Sequence, residues 1–346
     1  MSHSHPAFQT GRKLSRAEAA YLILAACGSS AASAAVPGSL TKVNVRMGYY
    51  FASSQAYVRY FLGVAKGYYR DQGLDVNFQE GTGSGNTVQL IANGQAEIGA
   101  SVTTGAVIRA NAQGAHLKMV AATAPINSIS VLSTAEKPIK SPKELPGKRI
   151  GIPPGTEQEQ IWPAFLKVNS IEPSSIQVIS IAGNALPAAL GRGQIDAYVS
   201  YATDQPGLER AGIKPYAMLF ADFGVTYEPS DGIVVNDAMI SEHPDIVRKF
   251  VTATYRAFQY SLDHPGEAVA AGVAAHPEAF KPDVAMGELG INQQLLKKYL
   301  GQRGHKLFEM YEPEWQATVN LLVNYGGLKN ALPADQYFTN EFVSKR

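Results

Sequence analysis

A chain of 346 residues, 45% hydrophobic and 17% charged, has room for two hydrophobic cores under an ordinary, weakly charged surface. A formal net charge of +1 with no basic stripe offers no field for nucleic acid or an anionic membrane surface. Past the N-terminal segment no apolar run approaches the length of a membrane span.

Residues 1–36 read as an export signal and a short tether. Arg12, Lys13 and Arg16 precede the apolar stretch Ala19 to Ala26, and a run of small residues follows, the layout of n-region, h-region and cleavage zone. Leu24-Ala25-Ala26-Cys27 resembles a bacterial lipobox, in which the cysteine takes a lipid; ordinary cleavage after Ala32-Ser33-Ala34 is the alternative. Cys27 is the only cysteine, so the body holds no internal disulfide and no thiolate metal site.

Val43 to Met47 alternates as a half-buried strand. The loop Tyr49-Tyr50-Phe51 leads to Ser53 or Ser54 as a helix cap, and the helix carries Tyr57, Val58, Phe61, Leu62 and Tyr68 at helical spacing. Leu74, Val76 and Phe78 form a second strand, and a glycine loop from Gly81 to Asn86 opens a helix that Gly94 closes. Glu97 to Ser101 is a third strand, Thr103-Thr104 caps a helix reaching Gln113, and Lys118 to Ala124 is a fourth strand. This βαβαβαβ order predicts a parallel sheet with helices on both faces.

Ser130 to Thr134 reads as a strand at the edge of a second lobe. Ser141-Pro142-Lys143-Glu144 has the form of a capping box with proline at the first helical position. Lys148 to Ile152 is a strand, and the helix after it runs to about Asn169, with Pro163 predicting a late start or a kink. Ile176 to Ile181 is a strand, Asn184 a cap, and Pro187 to Arg192 a short helix. A strand ending in Tyr201, a helix from Asp204 to Gly212 and a strand near Tyr216 to Phe220 follow. Beyond Gly232 the pattern is helical, with Pro244 to Tyr260 and Pro313 to Tyr325 clamping the outside of the lobes.

Residues 90–101, LIANGQAEIGAS, and 189–200, ALGRGQIDAYVS, echo one another: helix end, glycine, glutamine, acid, apolar run. The echo predicts two similar α/β lobes in series. Residues 42–125 with about 227–346 form lobe I and 126–226 lobe II, and the hinge is placed near Ala121–Pro125 and Phe220–Val225.

In an open α/β sheet ligands sit beyond the carboxyl ends of the strands. The loops there nominate Tyr49, Tyr50, Ser53, Ser54, Gly83, Ser84, Thr103 and Thr104 from lobe I. From lobe II they nominate Thr156, Glu157, Asn184, Tyr201 and Asp204. Hydroxyls, amides and helix N-termini suit a small polar ligand. Gly81-Thr82-Gly83-Ser84-Gly85-Asn86 lacks the third glycine of a dinucleotide fingerprint and the Gly-Lys-Ser/Thr of a P-loop, so no cofactor is expected. The histidines show no metal-ligand spacing and no serine sits in a Gly-x-Ser-x-Gly elbow, so neither a metal nor a catalytic residue is expected.

Residues 64–76, VAKGYYRDQGLDV, resemble the AKGYF-x-x-x-GLDV signature of the substrate-binding proteins of nitrate/sulfonate/taurine and thiamine-pyrimidine ABC importers. LIANGQAE at 90–97, IKSPKELPGKRIG at 139–151, ALGRGQIDA at 189–197 and HPDIVRKF at 243–250 extend the resemblance in order. It implies a two-lobe type II periplasmic binding protein fold with a two-strand hinge and C-terminal helices. It also implies a periplasmic, monomeric protein, with or without a lipid anchor on Cys27, that delivers a small-molecule ligand to ABC permease subunits in the inner membrane. IPPGTEQEQIWPAF at 152–165 is similar to members that carry pyrimidine- or flavin-like heterocycles, more than to sulfonate binders. Cleft acids that accept from ring donors point the same way, towards a pyrimidine-like heterocycle or an aromatic acid, with sulfonate, taurine and nitrate as alternatives. The family's fungal pyrimidine synthase branch offers a rival reading as an enzyme. That branch uses a cysteine-rich segment, and this chain has no cysteine after position 27.

Overall fold

The computed structural model describes residues 39–226 and 228–343; the export-signal reading and Cys27 lie outside the described residues. β1 (Thr41–Met47) alternates exposed and buried side chains as its sequence predicts, with Val43, Val45 and Met47 in the core. α1 (Val58–Ala65) and α2 (Tyr68–Asp71) lead to β2 (Leu74–Gln79). α3 (Ser84–Ala92), β3 (Ile98–Thr103), α4 (Thr104–Ala112) and β4 (Leu117–Ala124) complete the first pass. β5 (Ile129–Thr134), β6 (Arg149–Ile152), α5 (Glu157–Val168), β7 (Gln177–Ser180), α6 (Leu186–Gly191), β8 (Ala197–Tyr201), α7 (Gln205–Arg210) and β9 (Pro215–Leu219) build the second. β10 (Asp231–Asn236) returns to the first sheet, followed by α8 (Asp237–Glu242), α9 (Pro244–Asp263), α10 (Pro265–Ala275), α11 (Pro282–Arg303) and α12 (Glu312–Asn324).

The result is the two-lobe α/β fold expected. One sheet has the order β2-β1-β3-β10-β4 and the other β7-β6-β8-β5-β9. The first sheet departs from the all-parallel expectation, because β10 lies antiparallel between β3 and β4. The chain comes back from the second lobe and enters the first sheet from the opposite end. Ile233, Val234 and Val235 are fully buried there, and a Cβ on Gly232 would come within 2.3 Å of the Ala121 carbonyl oxygen. The second sheet holds a matching correction. β5 is not an edge strand but sits between β8 and β9, antiparallel to both, with Ser130 to Ser133 buried; β9 takes the edge.

Two local expectations also shift. Residues 142–144 form a single 3-10 turn rather than a helix, since Pro146 has no N–H to continue the ladder and Gly147 turns the chain at φ of +79°. α5 starts at once at Glu157, where the Thr156 side chain accepts the Glu159 N–H, and Pro163 is left on its exposed side.

The echoed motifs have one physical meaning. Gly94 and Gly193 close their helices at φ of +68° and +65°, a conformation that costs glycine nothing. The acid that follows then accepts a main-chain N–H at the neighbouring strand. Glu97 takes that of Asn44 at 2.6 Å on β1, and Asp196 that of Arg149 at 2.8 Å on β6.

Candidate ligand-binding cleft

Close backbone approaches fix the carboxyl ends of the first sheet. A Cβ on Gly48 would stand 2.1 Å from the Ser101 carbonyl oxygen, and one on Gly81 1.9 Å from that of Met47. Ser101 itself takes φ of +51°, a strained value for a serine, and its hydroxyl lies 3.2 Å from the Tyr60 phenol. Beside it, at the start of β10, Asp231 accepts from the Thr123 hydroxyl at 2.6 Å. Burial pushes the Asp231 carboxyl up to about 6, against the Thr123 hydrogen bond and the nearby Arg59 guanidinium.

Two recesses open at this level. The first, of about 250 Å³, is lined by Tyr49, Ser84, Thr103 and Arg109 from the first lobe and by Gly155, Glu157 and Gln160 from the second. Ser84 is buried and accepts the Thr103 N–H at 3.1 Å. Tyr201 donates its phenolic hydrogen to Glu157 Oε2 at 3.0 Å. Burial and the Glu157 charge raise the phenols of both Tyr49 and Tyr201, so both stay neutral donors. Arg109 gives one nitrogen to the Gly326 carbonyl at 3.1 Å, while its buried Nε has no hydrogen-bond partner among the described residues. The recess thus offers donor and acceptor groups beside the Tyr49 ring.

The second recess, of about 260 Å³, is lined by Ser53, Val284 and Glu288 on one side and by Tyr198, Ser200, Thr203 and Asp204 on the other. Glu288, on α11, is buried and accepts from the Ser54 hydroxyl at 2.6 Å and the Gln55 N–H at 2.8 Å. Burial pushes Glu288 up to about 7, and the Asp204 charge adds to the rise. Asp204 accepts from the Ser200 hydroxyl and from the Tyr201 N–H, and burial raises it as well.

Of the residues nominated from sequence, Tyr49, Ser84, Thr103 and Glu157 meet at the first recess and Ser53 and Asp204 at the second. Tyr201 is bonded to an acid of each. The others are placed differently. Ser54 is held by Glu288, and Thr104 is fully buried with its hydroxyl on the Pro229 carbonyl at 2.5 Å. Thr156 caps α5, and Gly83 supplies the φ of +140° that starts α3. Tyr50 and Asn184 are exposed and line neither recess.

Arg109, Asp231 and Glu288 escaped the sequence reading, and Thr203 lay in the loop between the nominated Tyr201 and Asp204 without being singled out. Arg109 lies inside a helix rather than on a strand-end loop. Glu288 meets Ser54 across 234 positions, which no local pattern records. Among the described residues no cluster of three or more His, Cys, Asp or Glu side chains is arranged to hold a metal ion.

A sequence profile described as NMT1/THI5 like matches residues 55–268, and the chain belongs to that family. It is 28% identical over 344 residues to the riboflavin-binding protein RibY of Chloroflexus aurantiacus, covering 93% of this chain and 95% of the relative. The formylaminopyrimidine-binding protein of Halalkalibacterium halodurans is 24% identical, with 93% and 96% covered. A 4-amino-5-hydroxymethyl-2-methylpyrimidine phosphate synthase of Candida albicans is 26% identical, with 82% and 83% covered. Among solved structures the fold is similar to the periplasmic aliphatic sulphonate binding protein SsuA of Escherichia coli, with a TM-score of 0.66 at 12% identity, covering 85% of this chain and 91% of that one.

Proposed function

We propose that this protein is the extracytoplasmic substrate-binding subunit of an ABC importer, and that it captures a small heterocycle in the cleft between its lobes. The observation that carries the reading is the first recess. Tyr49 and Arg109 from one lobe face Glu157 from the other, and Tyr201 is bonded to Glu157. A flat ring fits against the Tyr49 phenol. Glu157 accepts from ring N–H groups, and the Arg109 guanidinium donates to a ring carbonyl. A sulfonate, by contrast, would meet the Glu157 carboxylate. The riboflavin- and formylaminopyrimidine-binding relatives support a ring that carries both donors and acceptors.

The same reading places the protein in the periplasm as a monomer, handing its ligand to permease subunits in the inner membrane. Cys27 then serves as a lipid anchor, or the signal is cleaved nearer Ala34. Membrane fractionation of Cys27→Ser against the parent separates the two.

The pyrimidine synthase relative favours a second reading, an enzyme on the same fold. A thermal-shift screen of pyrimidines, flavins, aromatic acids, taurine and nitrate tests the carrier. A ligand that binds only the folded state raises its stability with concentration. Heterocycles are expected to give the shift, and the ligand recovered after long incubation is expected unchanged. Turnover, or a covalently altered residue, would establish the enzyme instead.

A further inference from the structure

β8 separates the two recesses. Its side chains alternate, so Tyr198 and Ser200 line the second recess while Tyr201 leaves the opposite face towards Glu157 of the first. The two share no lining residue. Tyr198 is only 2% exposed, yet its hydroxyl has no hydrogen-bond partner among the described residues. A buried hydroxyl without a partner is costly, and this one stands in the wall of a recess of about 260 Å³. Burial raises the phenol, and the Asp204 charge beside it adds to the rise. Glu288 lines the same recess from α11. We infer that the second recess binds a primary alkylammonium ion, at a site separate from that of the captured ring.

Charge and hydrogen-bonding capacity select that class. No lysine, arginine or histidine lines the recess among the described residues. The ionisable groups around Glu288 are Asp204 and Tyr198 of the second lobe and Tyr57 and Arg59 of the first. Arg59 is engaged elsewhere, with Nε on the Ala56 carbonyl at 3.1 Å and its guanidinium over the Phe258 ring at 4.1 Å. Two carboxyl groups therefore share the recess without a cation. An anion, or the sulfonate end of a zwitterion, would meet both. A neutral alcohol satisfies hydrogen bonds but leaves that charge uncompensated. An ammonium group compensates it and donates three hydrogens, and Asp204, Glu288, the Tyr198 phenol and the Ser53 and Thr203 hydroxyls all accept. A quaternary ammonium has no hydrogen to give, and a single tyrosine does not build the aromatic cage that such an ion requires. Pro187, Leu208 and Val284 supply apolar wall for an alkyl stem, which a bare metal ion would leave unfilled.

Calorimetric titration of the whole protein with n-butylammonium chloride, butan-1-ol and butyltrimethylammonium chloride tests this. Butylammonium is expected to bind about tenfold or more tighter than the other two, the scale of hydrogen bonds to charged groups. Burial and the Asp204 charge hold Glu288 at about 7 in the empty recess, whereas a bound cation keeps it ionised. Binding at pH 6 should therefore release a proton, and affinity should rise from pH 6 to pH 8, where the amine itself stays protonated. Tyr198→Phe should weaken butylammonium severalfold and leave the stability of the ligand-free protein unchanged, because the lost hydroxyl holds no protein group. Asp204→Asn should weaken it about tenfold or more. Equal butylammonium affinity in Tyr198→Phe and parent, tighter binding of the alcohol, or no saturable heat from butylammonium at pH 8 overturns the site. The heterocycle titrations read the first recess, so either reading stands or falls without the other.

Discussion

Asp196 and Arg149 are joined three times: the Arg149 main-chain N–H meets Oδ2 at 2.8 Å, and its side chain reaches both carboxylate oxygens, at 3.2 and 2.8 Å. In the first lobe Glu97 makes the main-chain half of this arrangement with Asn44. An acid two positions past the glutamine after a helix-closing glycine therefore pins the neighbouring strand, and the echo in the sequence records a folding device used twice.

Asp196→Ala should accordingly lower stability without touching the cleft. The bonds from Arg149 hold the Asp196 carboxyl below its ordinary value. Its stabilisation is thus present above the unfolded carboxyl range and is lost as pH falls through the lower folded value. Both side chains are more than a third exposed, 38% and 35%, so solvent screening limits the loss to about 1 kcal/mol. Urea unfolding at pH 7 should show that loss, and the gap between variant and parent should narrow at pH 3. An unchanged midpoint, or a weakened ligand affinity, would refute the structural role.

Glu157→Gln and Tyr201→Phe address the first recess. Tyr201→Phe removes the donor of the 3.0 Å bond between them, and Glu157→Gln replaces the carboxylate by an amide that can still take that bond but has one oxygen fewer to accept from ring N–H groups. Leaving a buried donor unpaired costs about 1–3 kcal/mol, so heterocycle affinity should fall about tenfold to a hundredfold in Glu157→Gln. Tyr201→Phe should cost less, because Glu157 itself remains. Titration calorimetry on both variants gives the order; equal affinities in parent and Glu157→Gln would remove that acid from the site.

The lobes, their strands and the placement of the cleft at strand ends were legible because each rests on local pattern: alternation, caps and a glycine-closed repeat. Strand order was not. Ile233 to Val235 is an apolar run whose partners lie more than a hundred positions upstream, so its place between β3 and β4 depends on where the chain re-enters the sheet. The same limit hid half the cleft. Loops adjoining strand ends named Tyr49, Glu157 and Asp204, but Arg109 and Glu288 reach the recesses from helices.

α11 contributes to both lobes, which bears on closure. Asp283 on this helix takes Arg210 of α7 at 2.6 Å, Lys298 takes Asp222 at 2.9 Å, and Glu288 holds Ser54 and Gln55 of the other lobe. A Cβ on Gly287 would come within 2.6 Å of Pro206. Ala121 to Ala124, proposed from sequence as hinge, are paired within β4, so a dihedral change falls more readily on Pro125 to Ser128. The two ion pairs are exposed and screened by solvent, so each is weak. Arg210→Ala with Lys298→Ala should therefore loosen the ligand-free protein and weaken binding severalfold, whereas Gly287→Val should do more. Small-angle scattering should show a larger particle without ligand that contracts at saturation. A radius identical to the parent in both states would rule out the helix as a clasp.

The buried acids predict a pH dependence of opposite sign to that of Asp196. Burial raises Asp231 from 3.8 to about 6 and Glu288 from 4.5 to about 7. A raised carboxyl binds its proton more tightly in the folded state, so its contribution is fully present below the unfolded value and is lost as pH rises through the folded one. The ligand-free protein should therefore lose stability between about pH 4 and pH 7. A rise of this size at Asp231 is worth about 3 kcal/mol at most. Asp231→Asn cannot ionise, retains an acceptor for the Thr123 hydroxyl, and should flatten this part of the profile while costing little at pH 5. Urea unfolding of parent and variant at pH 4, 5 and 6.5 measures the slope directly. A parent whose stability rises across this range, or a variant with the parent's slope, would show that Asp231 is not ionising in a buried setting.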